Sequence, residues 1–512
     1  MAKAKNLMIL GTGSDVGKSV LAAGLCRILK QDGYRVAPFK AQNMALNSFI
    51  TSEGGEMGRA QVVQAEAAGV EPQVDMNPIL LKPTSNVGSQ VIVHGKVLGN
   101  YTAEQYYEKK PDLVRQVIES YRRLEAQYEV LILEGAGSAA EINLKDKDLV
   151  NLSMAKRVEA PVLLAADIDR GGVFASIVGH MELFTPEERK MVKGFIINKF
   201  RGDPSLLDSG LEFLETHTGK PVLGLVHYFT DIHIPEEDSV ALDLKMRMAR
   251  RGLKEKVRIG VVRLPHISNY TDFDCLEQEP CVSLSYFTAP EQIFDLDLVI
   301  LPGSKNTLHD LRYLHDQGLA DAIISFHGKG GTVVGICGGY QMLGLRVLDP
   351  LGVESDLREM AGLNLLDLET ELLGEKVTTQ VRARMLWEEL ADPDELVHGY
   401  EIHMGRSKVL GPAASLLEIV QRNDVSVQVR DGLVSSDGRV WGSYLHGLFD
   451  NDSLRHRLIQ SLMRHGDMVP SEERLGSYHR WKEEQYDQLA AHLRTHLDMD
   501  RIYQIVGIRS KK

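Results

Sequence analysis

The chain has 512 residues, 43% of them hydrophobic and 25% charged, with a formal net charge of −13. This ordinary globular composition excludes a mainly disordered or collagen-like chain, and the acidic balance argues against a nucleic-acid partner. No run approaches the ~20 apolar residues of a membrane helix, and the N-terminus has no signal-peptide h-region, so a soluble cytoplasmic protein with no membrane partner is expected. Four cysteines, Cys26, Cys275, Cys281 and Cys337, form no CxxC pair and are too few for a disulfide framework.

Apolar strand-like runs occupy Leu7–Leu10, Arg35–Phe39, Val130–Leu133, Val162–Ala166, Phe195–Ile197 and Val222–Val226, with helical patterns between most of them. Pro111 and Asp112 are suited to open one of those helices. Continuous apolar strands separated by helices predict a parallel sheet covered on both faces. The charged stretch Asp243–Glu255 reads as a linker, after which a second alternation begins with Arg258–Val262, Leu298–Leu301 and Thr332–Ile336. From Asp450 the chain becomes helical and charged. The predicted fold class is α/β with two domains, a doubly wound, mostly parallel sheet over 1–245 and a second α/β domain over 255–450. A helical tail, 451–512, is expected to pack on the second domain.

LMILGTGSDVGKSVLAAGLCRIL reads as strand, glycine loop and helix. Gly11, Gly13 and Gly17 let backbone N–H groups turn inward around phosphate oxygens. Lys18 reaches the outer phosphates, Ser19 offers a hydroxyl to Mg²⁺, and the helix N-terminus adds its dipole. The usual GxxxxGK[ST] spacing would put glycine at position 12, where this chain has Thr12, so the loop is one residue longer. Glu134 ends an apolar strand in LILEGAG, where an acidic group faces the ligand crevice and suits Mg²⁺, directly or through water, the alternative being a carboxylate that caps the following loop. Lys40 follows the second strand and suits a phosphate or a substrate carboxylate. Asn198 ends another strand, where its amide matches an adenine edge. This pattern calls for a nucleotide with Mg²⁺.

GTVVGICGGYQMLGL sets Cys337 between a strand and a helix among small residues, the arrangement of a nucleophile elbow. A helix N-terminus favours thiolate. The Gly338 N–H, with Gly303 or Ser304 from the upstream LPGS turn, suits an oxyanion hole. A thiolate nucleophile calls for a base, and His446 in SYLHG follows an apolar run far along the chain.

GICGGYQMLG with a downstream YLHG resembles the class I, triad-type glutamine amidotransferases. The first half, with GTGSDVGKS, FK and LEGAG, resembles dethiobiotin synthetase and related P-loop amide-forming enzymes. Both modules in this order resemble the cobyric acid synthase family of cobalamin biosynthesis. FKAQNMALNS, GRAQVVQAEAA, MNPILLKPTS, GAGSAAEINL, DIDRGGVFAS, LPHISNYTDFD and HGYEIHMG extend the likeness from the N-terminus to about residue 450. The resemblance implies a P-loop synthetase domain followed by an amidotransferase domain. It also implies an ATP- and glutamine-dependent amidation of four peripheral carboxylates of adenosyl-cobyrinic acid a,c-diamide, with glutamine and a corrinoid polycarboxylate as the small-molecule partners. Gln42 and Asn43 follow Lys40 within a family segment and are candidate substrate contacts.

Two departures accompany the resemblance. Class I amidotransferases often carry a glutamate two residues after the histidine, where this chain has Leu448; either the site runs as a Cys–His dyad or another acid, Glu401 for example, orients His446. Dethiobiotin synthetase has a metal-holding aspartate where GGEMGRAQVVQ stands here, so Arg59 is expected to meet substrate carboxylate instead. Rival expectations are the a,c-diamide synthase of the same pathway and, more remotely, a partitioning-type ATPase with an inactive amidotransferase domain.

Overall fold

A computed structural model describes residues 3–85, 88–235, 256–390, 392, 395–465 and 476–511. The charged stretch Asp243–Glu255 lies outside the described residues. The chain divides into two compact units: Met1–Ala45 with Glu56–Pro235 and Lys482–Lys512, and Leu46–Gly55 with Glu236–Trp481.

The first unit is built on β1 (Lys5–Gly11), β2 (Val36–Phe39), β3 (Val130–Glu134), β4 (Val162–Asp167), β5 (Val192–Phe200) and β6 (Val222–His227). They form a six-stranded sheet in the order β6-β5-β4-β1-β3-β2, with every neighbouring pair parallel. All six apolar runs read from the sequence are strands. β3 is buried along its whole length, as continuous apolar strands must be when helices cover both faces. The carboxyl ends of β1 and β3 are adjacent, with Ile9 opposite Glu134, and this brings the phosphate loop and the acidic strand end together.

Helix α1 (Lys18–Gln31) follows β1 and α2 (Arg59–Ala68) lies further on. Helix α3 (Lys110–Gln127) carries Pro111 in its first turn, as expected, and buries Leu113, Val117, Tyr121 and Leu124. A separate four-stranded sheet joins Gln42–Met44, Ile79–Ser85, Gly88–Val93 and Lys96–Thr102. It has no clear apolar signature, because Lys82 and Gln90 are among its buried residues.

The second unit has a twelve-stranded mixed sheet. Its parallel part runs Val282–Phe287, Val257–Val262, Leu298–Leu301, Thr332–Ile336 and Val440–Ser443. Long antiparallel strands extend it, among them Leu368–Met385, Val397–Val409, Ala414–Arg422 and Val425–Val434. Val257–Val262, Leu298–Leu301 and Thr332–Ile336 match strands read from the sequence and Val440–Ser443 the apolar run before His446, but Val282–Phe287 was not read; the antiparallel ribbon carries many exposed charges and hides its period.

The tail departs from expectation. Helix Asp452–His465 lies in the second unit, but Lys482–Lys512 belong to the first. Leu489, Ala490, Leu493, Leu497, Ile502, Tyr503 and Val506 enter the same core as Leu21, Leu25 and Ile28 of α1. Arg27 pairs with Glu483 at 2.8 Å and Asp487 at 2.7 Å, and Arg494 with Asp32 at 2.6 Å. The apolar stripe of the last helices completes the P-loop unit because that is where an apolar face of matching charge is open.

Candidate functional site

In the first unit, β1 ends at Gly11 and α1 begins at Lys18, so residues 12–17 form the loop. Gly17 holds φ 94°, and a β-carbon there would collide with the Asn198 amide. Asn198 donates to the Val16 carbonyl at 2.9 Å. It braces the loop from β5 with one of its N–H groups. Lys18 Nζ donates to the Gly13 carbonyl at 2.7 Å and to the Gly137 carbonyl at 3.0 Å, so it stands between the loop and the segment after β3.

Glu134 is the centre of this site and is 1% exposed. Its Oε1 accepts from Ser19 Oγ at 2.8 Å and from Lys40 Nζ at 2.8 Å. Its Oε2 accepts from Gln64 Nε2 at 2.5 Å and Gln61 Nε2 at 3.4 Å. Burial opposes the charge, and Lys40, Gln64 and Lys18 outweigh it, holding the carboxyl below the usual carboxylate range. Sequence reasoning placed Ser19, Lys40 and Glu134 here but missed Gln61 and Gln64, which arrive from α2. Their signal was weak, two glutamines three apart on one helix face.

The Ser19 hydroxyl and the Glu134 carboxylate offer oxygens of the kind a hard cation takes. Among the described residues no group of three or more His, Cys, Asp or Glu side chains is arranged to hold a metal ion. A cation at Ser19 and Glu134 would complete its shell with phosphate and water, the habit of Mg²⁺.

The remaining expected contacts differ in standing. Gln42 is partly exposed and accepts from the Tyr106 hydroxyl at 2.5 Å. Asn43 is buried, donates to Gln61 at 3.0 Å and accepts from the Met44 N–H at 3.0 Å. Its amide ties the strand Gln42–Met44 to α2. Arg59 is buried at the start of α2, and its charge favours the Glu66 carboxylate.

In the second unit, Cys337 lies between strand Thr332–Ile336 and helix Gly338–Met342 with φ 54° and ψ −109°. A non-glycine residue in this region is strained, as nucleophile elbows are. The small residues around it are required by close approach: a β-carbon on Gly339 would collide with the Leu301 carbonyl, and one on Gly338 would meet the Ser304 nitrogen at 2.9 Å. The Cys337 thiol donates to the Ile402 carbonyl at 3.5 Å.

His446 is 1% exposed, and Cys337 lies near enough to favour the charge on its ring. Its Nδ1 lies 2.6 Å from Asp272 Oδ2, whose other oxygen accepts the Gly447 N–H at 3.1 Å. The ring stacks on Tyr400 with centroids 5.4 Å apart. Burial disfavours the imidazolium, but Asp272 and Cys337 overcome it and push the His446 pKa up to about 10. Gly303 adjoins the ring, since a β-carbon there would sit 3.0 Å from His446 Cε1. Cys337, Gly338, Ser304, Gly303 and His446 are thus brought together.

The acid on His446 is Asp272, not Glu401. Glu401 accepts two bonds from Arg422, each 2.8 Å, and one from Thr379 at 2.8 Å. Leu448 is buried in the apolar core, where a carboxylate would have no place. Asp272 lies in LPHISNYTDFD, a segment noted only for its likeness. The signal available was an acid in a loop after the domain's first strand.

Residues 7–240 match the CobQ/CobB/MinD/ParA nucleotide binding domain, and residues 258–454 the CobB/CobQ-like glutamine amidotransferase domain. The chain is 59% identical over 513 aligned positions to a cobyric acid synthase of Syntrophobacter fumaroxidans, covering 99% of this chain and 100% of that one. It is 52% identical to one of Photorhabdus laumondii, covering 98% and 97%, and 50% identical to one of Caldanaerobacter subterraneus, covering 98% and 99%. Among the described residues no helix is long and apolar enough to cross a membrane.

Proposed function

The chain belongs to the cobyric acid synthase family, and on that premise we propose that it amidates the four peripheral carboxylates b, d, e and g of adenosyl-cobyrinic acid a,c-diamide, using ATP and glutamine, to give adenosyl-cobyric acid. The observation that carries this reading is that one alignment with a cobyric acid synthase spans both chemical centres. Each module alone would fit many carboxylate substrates.

In the first unit the N–H groups of the loop through Gly13 and Gly17 hold the phosphates of ATP, and Lys18 neutralises the outer ones. Asn198 reads the adenine edge with the amide atoms not spent on Val16. Ser19 and Glu134 would hold Mg²⁺, which would supply charge neutralisation at the transferred phosphoryl group. Lys40 keeps Glu134 ionised and adds positive charge where an incoming carboxylate is to be phosphorylated. Gln42 and Arg59 serve as contacts for the polyanionic substrate. The carboxylate oxygen bonds to the γ-phosphorus of ATP, the β–γ P–O bond breaks, ADP leaves, and the carboxylate becomes an acyl phosphate.

In the second unit the Cys337 thiolate attacks the glutamine side-chain amide. The N–H groups of Gly303 and Gly338 stabilise the oxyanion. His446 gives its Nε2 proton to the departing ammonia, and Asp272 holds the ring in place by accepting from Nδ1. Water then releases glutamate from the thioester. Ammonia displaces phosphate from the acyl phosphate in the first unit.

The test follows corrinoid mass in the presence of ATP, Mg²⁺ and glutamine. Each carboxylate-to-amide step changes the mass by about −1 Da, and four steps consume about four ATP under the acyl-phosphate scheme. Loss of about 4 Da, dependent on both ATP and glutamine, is the expected result. Amidation of cobyrinic acid itself, with the a,c-diamide untouched, would overturn the substrate assignment. Excess ammonium rescues Cys337→Ser if the two centres divide the labour in this way.

A further inference from the structure

The segment after Glu134 runs beside the phosphate loop. Thr12 and Ser138 form an isolated antiparallel bridge, and the Ala139 N–H donates to the Gly11 carbonyl at 3.0 Å. Lys18 Nζ reaches the carbonyl of Gly137. Ser138 is therefore anchored next to the lysine that handles the outer phosphates.

Its hydroxyl lies 2.9 Å from His180 Nε2. The other ring nitrogen, Nδ1, is 2.8 Å from the Ser176 carbonyl oxygen. A carbonyl oxygen only accepts, so Nδ1 carries the proton and Nε2 presents a lone pair. The Ser138 hydroxyl is then the donor to Nε2. Its oxygen also accepts the Ala140 N–H at 3.2 Å and remains partly exposed. Burial holds the His180 pKa below the ordinary histidine value, against the Ser176 bond and the Glu141 charge. A neutral histidine with a fixed tautomer, bonded to a serine hydroxyl, is a proton acceptor in waiting, and phosphoryl transfer as derived above does not use it.

Amide formation does need an acceptor. When ammonia adds to an acyl phosphate, the new C–N bond leaves a positive charge on nitrogen. Unless that nitrogen loses a proton, ammonia departs again more readily than phosphate. Resting on the proposed amide-forming activity, we propose that Ser138 and His180 form the proton relay of this step. As ammonia bonds to the acyl carbon, Ser138 Oγ takes one proton from nitrogen and passes its own to His180 Nε2. The C–O bond to phosphate breaks and phosphate leaves with the electron pair. His180 returns the proton to solvent after product release, and its Nδ1–H stays on Ser176 throughout. Ser138 is the catalytic residue and His180 the group that orients and drains it.

The experiment supplies ammonium chloride in place of glutamine, with ATP, Mg²⁺ and the a,c-diamide corrinoid, and compares the parent with Ser138→Ala, Ser138→Thr and His180→Gln. Phosphate release and amide formation are measured together. The parent releases about one phosphate per amide. In Ser138→Ala and His180→Gln that ratio is expected to rise at least ~10-fold, with an unchanged KM for ATP, because activation proceeds while capture of ammonia fails. Ser138→Thr retains the hydroxyl and should stay close to the parent. Parent-like ratios in both disabling variants would overturn the relay alone. So would loss of ATP turnover or a raised KM for ATP, since either marks a brace for the loop. A parent that forms no amide would remove the relay together with the function it serves. Ser138→Ala deletes one oxygen at a partly exposed position, so the test stays readable if His180→Gln folds poorly.

Discussion

His446 Nδ1 and Asp272 Oδ2 are 2.6 Å apart, both side chains are buried, and 174 residues separate them in the chain. The carboxylate fixes which ring nitrogen faces Cys337 and supports the charge on the imidazolium. In the Asp272→Asn variant the glutamine-hydrolysing kcat should fall roughly 10²- to 10⁴-fold. The alkaline limb of its pH–rate profile, near the His446 pKa of about 10 in the parent, should move to lower pH. Glu401→Gln should leave the position of that limb unchanged. Stopped assays of glutamate release from pH 6 to about 11 check both outcomes.

The same pair makes stability depend on pH. The folded pKa of His446 is raised above the value of about 6.5 expected in the unfolded chain. Its contribution is therefore complete below about pH 6.5 and is lost as pH rises through about 10. The difference in Tm between the parent and His446→Gln should be largest at pH 6 and shrink steadily toward pH 10. A difference that stays constant across this window would remove the linkage.

Glu134 has a double role, so its replacement should have a double effect. Glu134→Gln removes the proposed cation ligand and the carboxylate that pairs with buried Lys40. ATP turnover should fall below detection. Breaking a buried ion pair from one side costs about 3–5 kcal/mol, read by denaturant unfolding of the P-loop unit. Glutamine hydrolysis at Cys337 should persist.

Gly339→Ala tests the tightness of the elbow. The added methyl would fall on the Leu301 carbonyl, and two backbones must separate to admit it. Glutamine hydrolysis should drop at least ~10²-fold through displacement of the thiol, with ammonium-dependent amidation spared. Thiol labelling together with both activity assays reads the outcome.

Leu493→Ala tests the placement of the tail. Leu493 is fully buried, and a β-carbon on Gly24 of α1 would run into it. The substitution should cost about 2–5 kcal/mol and weaken ATP binding before it affects glutamine hydrolysis. Equal loss of both activities would show that the last helices do not serve the P-loop unit preferentially.

The legible parts of the molecule are those whose cause is local. GTGSDVGKS announces a phosphate loop because glycine spacing, a terminal lysine and a following helix N-terminus are all needed within nine residues. GICGGYQ announces an elbow for a similar reason, since only small residues fit between strand and helix there. Six apolar runs reveal the first sheet because strands covered on both faces must be apolar throughout. The four-stranded side sheet escaped notice because buried Lys82 and Gln90 interrupt any apolar period.

Partnerships across the chain belong to the folded protein. Nothing near His446 names Asp272, and the position where a family pattern places an acid holds buried Leu448. Nothing near Ser138 names His180, 42 residues away. The tail's apolar stripe promises a helix that must be covered, but not by what; the core around α1 covers it. Backbone sterics and apolar periodicity act over a few residues and can be read along the chain. Charge pairing and burial act through space, and which groups meet is decided only once the sheets have set their strand order.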